Sequence, residues 1–144
     1  MCDGRRAALQ RAKARLPQAS VHGVSWYWGV GDNPRSTRHA VDDELRLLAP
    51  FDPVVWDRRR FELFWGWAYR FEVYTPAAQR VRGYYALPLL WRGQVIGCGN
   101  AAVRDGALHT GLGFVSGAAP RGADFRRAWA AERARLQAFL GLGG

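Results

Sequence analysis

Between Leu45 and Trp91 the chain reads LRLLAPFDPVVWDRRRFELFWGWAYRFEVYTPAAQRVRGYYALPLLW. Aromatic residues and arginines alternate through this block, and Pro50, Pro53, Pro76 and Pro88 punctuate it. It is rich enough in apolar rings to build a core and basic enough to meet a polyanion. Its prolines divide it into short elements, because proline interrupts both helix and sheet hydrogen bonding.

The 144 residues fit one domain. A chain of this length buries roughly 68–70% of its unfolded surface, so it needs no disulfide or metal to fold. A composition of 49% hydrophobic and 13% aromatic residues is globular rather than disordered. With seven tryptophans in the chain, core packing is the simplest use of most of them. The net charge of +9 favours nucleic acid or another anionic surface. Lys13 is the sole lysine, so genomic bias can explain arginine over lysine, but it leaves the excess over 12 acidic residues unexplained. Cys2 and Cys98 form no CxxC and no Cys/His cluster, so neither a disulfide framework nor a zinc site is readable. A reducing, cytoplasmic setting is expected. No apolar run approaches the roughly 18 residues of a membrane span, and no apolar signal core follows the basic N-terminus. Neither a membrane partner nor a metal or small-molecule cofactor is expected.

The spacing predicts a helix from Asp3, its cap, to Leu16, with Leu9, Ala12 and Leu16 on one face and Pro17 as its stop. A short strand follows at Ser25–Trp28, then a polar loop over 31–43 and a short buried strand at Leu45–Leu48. Asp52 suits an Asx-type bond in the Ala49–Pro53 turn. Asp57 is expected to cap a helix over 58–64, with Phe61, Phe64 and Trp65 on one face. Strands are predicted at 69–75, 84–91, 94–103 and 107–115, with turns at Arg92-Gly93 and Asp105-Gly106. Asp124 is expected to cap a last helix, with Phe125, Trp129, Leu136, Phe139 and Leu140 inward and Gly141 and Gly143 at its end. The fold class is α+β, an antiparallel meander of about four strands with flanking helices.

Gly97-Cys98-Gly99-Asn100-Ala101-Ala102 matches G-x-G-x-x-A, but a dinucleotide site needs a helix immediately after the glycines. The Asp105-Gly106 turn follows instead, so a strand with close-packed glycines is the better reading. Asp42-Asp43-Glu44 reads as a solvated turn or as partners for arginines, since three consecutive acids rarely converge on a cation. His22, His39 and His109 match no ligand spacing, and no serine sits in a nucleophile elbow. Glu62 and Glu72 are candidate general acids, against the plainer role of structural carboxylates beside Arg58 or Arg70. Arg58-Arg59-Arg60 opens a helix where positive charge opposes the macrodipole. The alternatives there are phosphate contact and arginine stems covering aromatic surface. Arg80 and Arg82, in a loop, and Arg92, at a turn tip, are further points of phosphate reach. Trp26, Trp28, Trp65, Trp67, Tyr84 and Tyr85 could stack bases, although core packing is the default for such rings.

Several spaced motifs agree with one family. Leu47-Leu48-Ala49-Pro50-Phe51-Asp52 precedes Val54-Val55-Trp56-Asp57-Arg58-Arg59-Arg60. Tyr69-Arg70-Phe71-Glu72-Val73-Tyr74 with Pro76 follows, then Gly83-Tyr84-Tyr85-Ala86-Leu87-Pro88. In this order they resemble the C-terminal part of the winged-helix DNA glycosylases of the YcaQ/AlkZ type. Weaker resemblance runs from about Val21 to the C-terminus. It implies a relative of proteins more than twice as long, built of tandem winged helices around a concave DNA-binding face. Such proteins hydrolyse the N-glycosidic bond of alkylated purines, crosslinked adducts included. The family's catalytic motif is Gln–apolar–Gln or Gln–apolar–Asp. Here Gln10, Gln18, Gln79, Gln94 and Gln137 are followed two residues later by Ala12, Ser20, Val81, Ile96 and Phe139, so none matches. Gly97-Cys98-Gly99-Asn100 also departs from the family's Gly-Arg-x-Asp or Gly-Trp-x-Asn pattern.

Residues 1–20 are accordingly read as a basic helix, the tail of an upstream winged helix, and residues 21–144 as a glycosylase-like α+β domain. The expected function is a DNA-binding C-terminal module, inactive alone, with an upstream catalytic segment in full-length relatives. The other readings are a non-catalytic basic DNA-binding protein and a structural fragment of a truncated gene. No catalytic residue is assigned.

Overall fold

Three reverse turns share one backbone geometry and set the strand pairing. His22-Gly23, Arg92-Gly93 and Asp105-Gly106 have φ values of 51° and 75°, 50° and 72°, and 50° and 73°. Positive φ at both central residues is the type I′ turn, whose twist matches that of paired antiparallel strands. The computed structural model describes residues 3–142, with the side chain of Asp3 excluded. The expected Asp3 cap, Cys2 and Gly143 therefore lie outside the described groups. The chain divides into two units, one ending at Ala40 and one starting at Val41.

The first unit contains α1 (Asp3–Arg15) and a hairpin of β1 (Gln18–Val21) and β2 (Val24–Tyr27). The hairpin places Ala19 opposite Trp26. Only its second strand was expected, because His-Gly is a weaker turn signal than Asn-Gly or Asp-Gly. Leu9, expected on an apolar face, is exposed.

The second unit holds a four-stranded antiparallel sheet in the order β3 (Leu45–Leu47), β4 (Leu87–Trp91), β5 (Gln94–Arg104), β6 (Ala107–Phe114). Helices α2 (Pro53–Trp56) and α3 (Arg58–Trp65) precede β4, and α4 (Ala123–Phe139) follows β6. The α+β class stands, as does the count of four strands, but their membership differs from expectation. Tyr69–Thr75 is not a strand, and Leu45–Leu47 takes the edge beside β4. The alternating 69–75 segment satisfies its polar groups through side chains: Tyr69 Oη donates to Ala86 O at 2.8 Å, and Glu72 accepts from residues 81–83. Residues 84–86 likewise lie outside β4.

Apolar side chains fall into two clusters, and neighbouring residues of β4 divide between them. Leu89 packs with Leu45, Leu47, Trp91, Ile96, Leu112 and Phe114 against Phe125, Ala128 and Trp129 of α4. Leu90 packs with Leu48, Val55, Phe61, Tyr69, Val95 and Cys98. Strand alternation puts successive residues on opposite faces, so the sheet carries a core on each side. Val95 and Cys98 share a face although three residues apart. The β4–β5 register shifts there, with Leu89 opposite Gly97 and Leu90 opposite Val95, so Ile96 is the extra residue of a bulge.

The glycines of the G-x-G-x-x-A match belong to this strand, and no helix follows them. A methyl group on Gly97 would overlap the carbonyl oxygen of Gly113. One on Gly99 would come within 2.7 Å of Leu47 Cδ2 and 2.8 Å of Leu112 Cδ2. They are close-packing glycines, as the strand reading requires.

Two helix details differ from expectation. The N-cap of α4 is Gly122, while Asp124 lies in the first turn and pairs with Arg92 and Arg127. Phe139 and Leu140 are exposed rather than inward, as is Phe64 of α3. Asp57 does cap α3, accepting from Arg60 N at 3.1 Å. Asp52 caps α2, accepting from Val54 N at 2.8 Å. Among the described residues no helix is long and apolar enough to cross a membrane.

Candidate nucleic-acid interface

Ion pairs sort the charge of the second unit. Asp43, Glu44, Asp124 and Glu132 engage Arg46, Arg92, Arg127 and Arg135 beside β3 and α4. Arg92 is held twice, at 2.6 Å from Asp43 and 3.2 Å from Asp124, and lies 4.6 Å over the Trp91 ring. The Asp42-Asp43-Glu44 run thus supplies arginine partners, and no cluster of potential metal ligands occurs among the described residues.

Between Pro50 and Tyr85 the pattern reverses. This stretch has six arginines and four carboxylates, and no ion pair forms within it among the described residues. Asp52 and Asp57 are turned to helix N-terminal N–H groups. Glu72 is buried, at 6% exposure. Its carboxylate accepts from Val81 N at 3.1 Å, Arg82 N at 2.8 Å and Gly83 N at 3.2 Å. Burial works to raise its pKa, but the three N–H donors and the Arg82 charge together outweigh burial and hold it below the ordinary glutamate value. A carboxylate so held is a structural clamp and a poor proton donor. Its partners are backbone N–H groups, not the expected Arg58 or Arg70. Glu62 is exposed on α3.

The candidate arginines occupy distinct settings. Arg58 and Arg59 are exposed at the start of α3 with no ion pair. Arg60 is half-buried, its guanidinium donating to Pro53 O. Arg80 Nε donates to Thr75 O at 2.8 Å, and its guanidinium lies 4.7 Å over Tyr84. Arg82 lies 5.0 Å over Trp67 and lines a cleft of about 420 Å3 with Asn100 and Phe114. Arg58, Arg59, Arg60, Arg80 and Arg82 thus share the stretch without ion pairs, whereas Arg92 stands apart in the ion-pair network.

The rings divide as sharply. Trp65 Nε1 donates to Gly93 O at 3.2 Å, and Trp67 Nε1 to Val95 O at 3.1 Å. Both pack edge-on against Phe61. These two are half-buried, packed against the core with satisfied N–H groups, and Trp67 carries Arg82 over its face. Tyr84 and Tyr85 are exposed, though Tyr84 carries Arg80 and Tyr85 packs on Phe71. Trp26 and Trp28, in the first unit, are half-buried. Sequence reasoning missed three widely open rings: Phe51 at 77% exposure, Trp56 at 74% and Tyr74 at 92%. Their one sequence signal is position, beside prolines in the Pro50–Pro53 turn, after it, and before Pro76.

The first unit carries a second basic surface. Seven basic residues meet two acidic ones through Ala40. Arg5, Arg6, Arg11 and Arg15 are exposed on α1, while Lys13 lies 5.2 Å over Tyr27.

An α+β protein whose unpaired arginines lie among exposed aromatics has the surface chemistry of a nucleic-acid-associated protein. The sequence model described as DNA glycosylase AlkZ-like matches residues 2–139. The chain belongs to this AlkZ-like DNA glycosylase family, which gives it a role related to DNA-repair glycosylases, with DNA as the family's substrate. No solved structure matches the chain.

Proposed function

We propose that this chain is a DNA-binding module of the AlkZ-like family that holds duplex DNA by its phosphates and releases no base by itself. The observation that carries this reading is the group of arginines without carboxylate partners between Pro50 and Tyr85, in a member of a DNA glycosylase family. Arg58 and Arg59 are the foremost contacts, supported by Arg60, Arg80 and Arg82. Arg92 contributes less, because Asp43 and Asp124 balance its charge. The arginines of α1 add a further stretch of phosphate contact.

Hydrolysis of a glycosidic bond requires a positioned water and stabilisation of a cationic sugar. The chain contains no Gln–apolar–Gln or Gln–apolar–Asp sequence. Glu72, the most buried carboxylate between Pro50 and Tyr85, is committed to three backbone donors. No step of base removal is therefore assigned to this chain.

The test is duplex binding by the 144-residue chain across a salt series, with release of a methylated purine followed in the same samples. Salt-dependent binding without base release is expected. Base release would overturn the non-catalytic assignment, and salt-independent or absent binding would overturn the DNA-binding one.

A further inference from the structure

Three of the four most exposed rings of the second unit line a single cleft. Phe51, Trp56 and Tyr74 line it together with Phe71, Tyr69 and Arg58, and it encloses about 370 Å3. That volume falls within the roughly 300–1,000 Å3 typical of small-molecule clefts. Among the described residues none of the three rings stacks on another ring or carries a cation over its face. They contrast with Trp65 and Trp67, which pack edge-on against Phe61, and with Trp67 in particular, which carries Arg82 over its face. Tyr69, at the floor, is fixed by its bond to Ala86 O. The floor is thus rigid, the rim aromatic and open, and one exposed unpaired guanidinium stands at the edge.

We propose that this cleft is a stacking site for an unpaired nucleobase of single-stranded DNA, with the adjoining phosphate held by Arg58. The proposal rests on the DNA-binding reading and extends it from the duplex backbone to exposed bases. A nucleobase offers flat π-faces that match open rings, and stacking tolerates any base. Charge complementarity selects a nucleotide over a neutral aromatic partner. Arg58 lines the cleft and Arg59 follows it; Asp52 and Asp57 are turned to the N–H groups of Val54 and Arg60, and Glu62, one helical turn after Arg58, is exposed and forms no ion pair with it among the described residues. Paired bases in a duplex present no free face, so this site distinguishes single from double strands where phosphate contacts alone do not.

The experiment compares short oligothymidylate with duplex of equal length, for the full chain and for Trp56→Ala, Tyr74→Ala, Trp56→Phe and Arg58→Ala, across a salt series. Because Trp56 and Tyr74 are exposed, their truncation leaves the fold intact, which circular dichroism verifies. Trp56→Ala and Tyr74→Ala are each expected to weaken single-strand binding roughly 5- to 100-fold with little change in duplex binding, and Trp56→Phe to retain most of it. Arg58→Ala is expected to lower the single-strand salt slope by about 0.7. Single-strand affinity unchanged in both ring variants overturns the stacking site, while duplex binding that persists leaves the phosphate reading in place. Absence of salt-dependent binding to either DNA overturns both. Self-association lost in Trp56→Ala, with DNA binding unaltered, assigns the cleft to a second copy and overturns the proposal.

Discussion

The carboxylate of Glu72 accepts the backbone N–H of Arg82 at 2.8 Å, ten residues further along the chain. With Val81 and Gly83 also donating, one side chain closes the loop that carries Arg80 and Arg82. Glu72→Ala leaves three N–H groups without their acceptor. Each such group costs about 1–3 kcal/mol when water does not replace the partner. A loss of about 2–4 kcal/mol is expected, read from the urea midpoint at unchanged m-value.

The same clamp sets a pH dependence. Because the folded-state pKa of Glu72 lies below its unfolded value, the native state binds fewer protons. Its stabilisation is fully present above the unfolded glutamate pKa, about 4.3, and is lost as pH falls through the folded value. Urea unfolding between neutral and acid pH should show this decline, and Glu72→Gln should reduce it. An identical pH profile in the variant would remove Glu72 as its source.

Gly97 and Gly111 lie on neighbouring strands and differ in what surrounds them. A methyl group on Gly97 would overlap the Gly113 carbonyl oxygen, whereas one on Gly111 meets nothing within 4 Å. Gly97→Ala should destabilise by about 1–3 kcal/mol through forced backbone movement. Gly111→Ala should be neutral or stabilise by up to about 1 kcal/mol. Thermal unfolding of the two variants side by side checks the pair.

Burial pushes the Cys98 thiol up to about 11. Since the thiolate is the reactive form, Cys98 should resist alkylation at neutral pH in the folded chain and react on unfolding. Peptide mapping after iodoacetamide treatment, with and without urea, reads this directly.

Arg59 and Arg92 separate free charge from balanced charge. Arg59→Ala should reduce the duplex salt slope by about 0.9, one phosphate contact. Arg92→Ala should change the slope less and cost little stability, as exposed ion pairs do. A larger slope change for Arg92 would show that DNA displaces Asp43 and Asp124 from it.

Much of the fold is local and was legible. Asp57 precedes a helix start and caps it, Asp52 makes the expected local bond although to the start of a helix that was not expected, and Arg92-Gly93 and Asp105-Gly106 form the turns their residue types favour. Glu72 shows where local reading stops. Its neighbours alternate as a strand does, but a carboxylate reaching residues 81–83 replaces the sheet ladder, and no local pattern encodes a partner nine to eleven residues away.

The sequence by itself determined the Arg92-Gly93 and Asp105-Gly106 turns, the Asp57 cap, the α+β class and the basic, aromatic character of the chain, since each depends on residues within a few positions of one another. Only the tertiary structure decided that Leu45–Leu47, not Tyr69–Thr75, completes the sheet. It also decided that Trp65 and Trp67 are anchored against the core while Phe51, Trp56 and Tyr74 open onto solvent, and that Arg92 is balanced while Arg58 and Arg59 are free. Burial and ion pairing join groups distant in the chain. Identical residue types therefore take different roles according to what folding brings beside them.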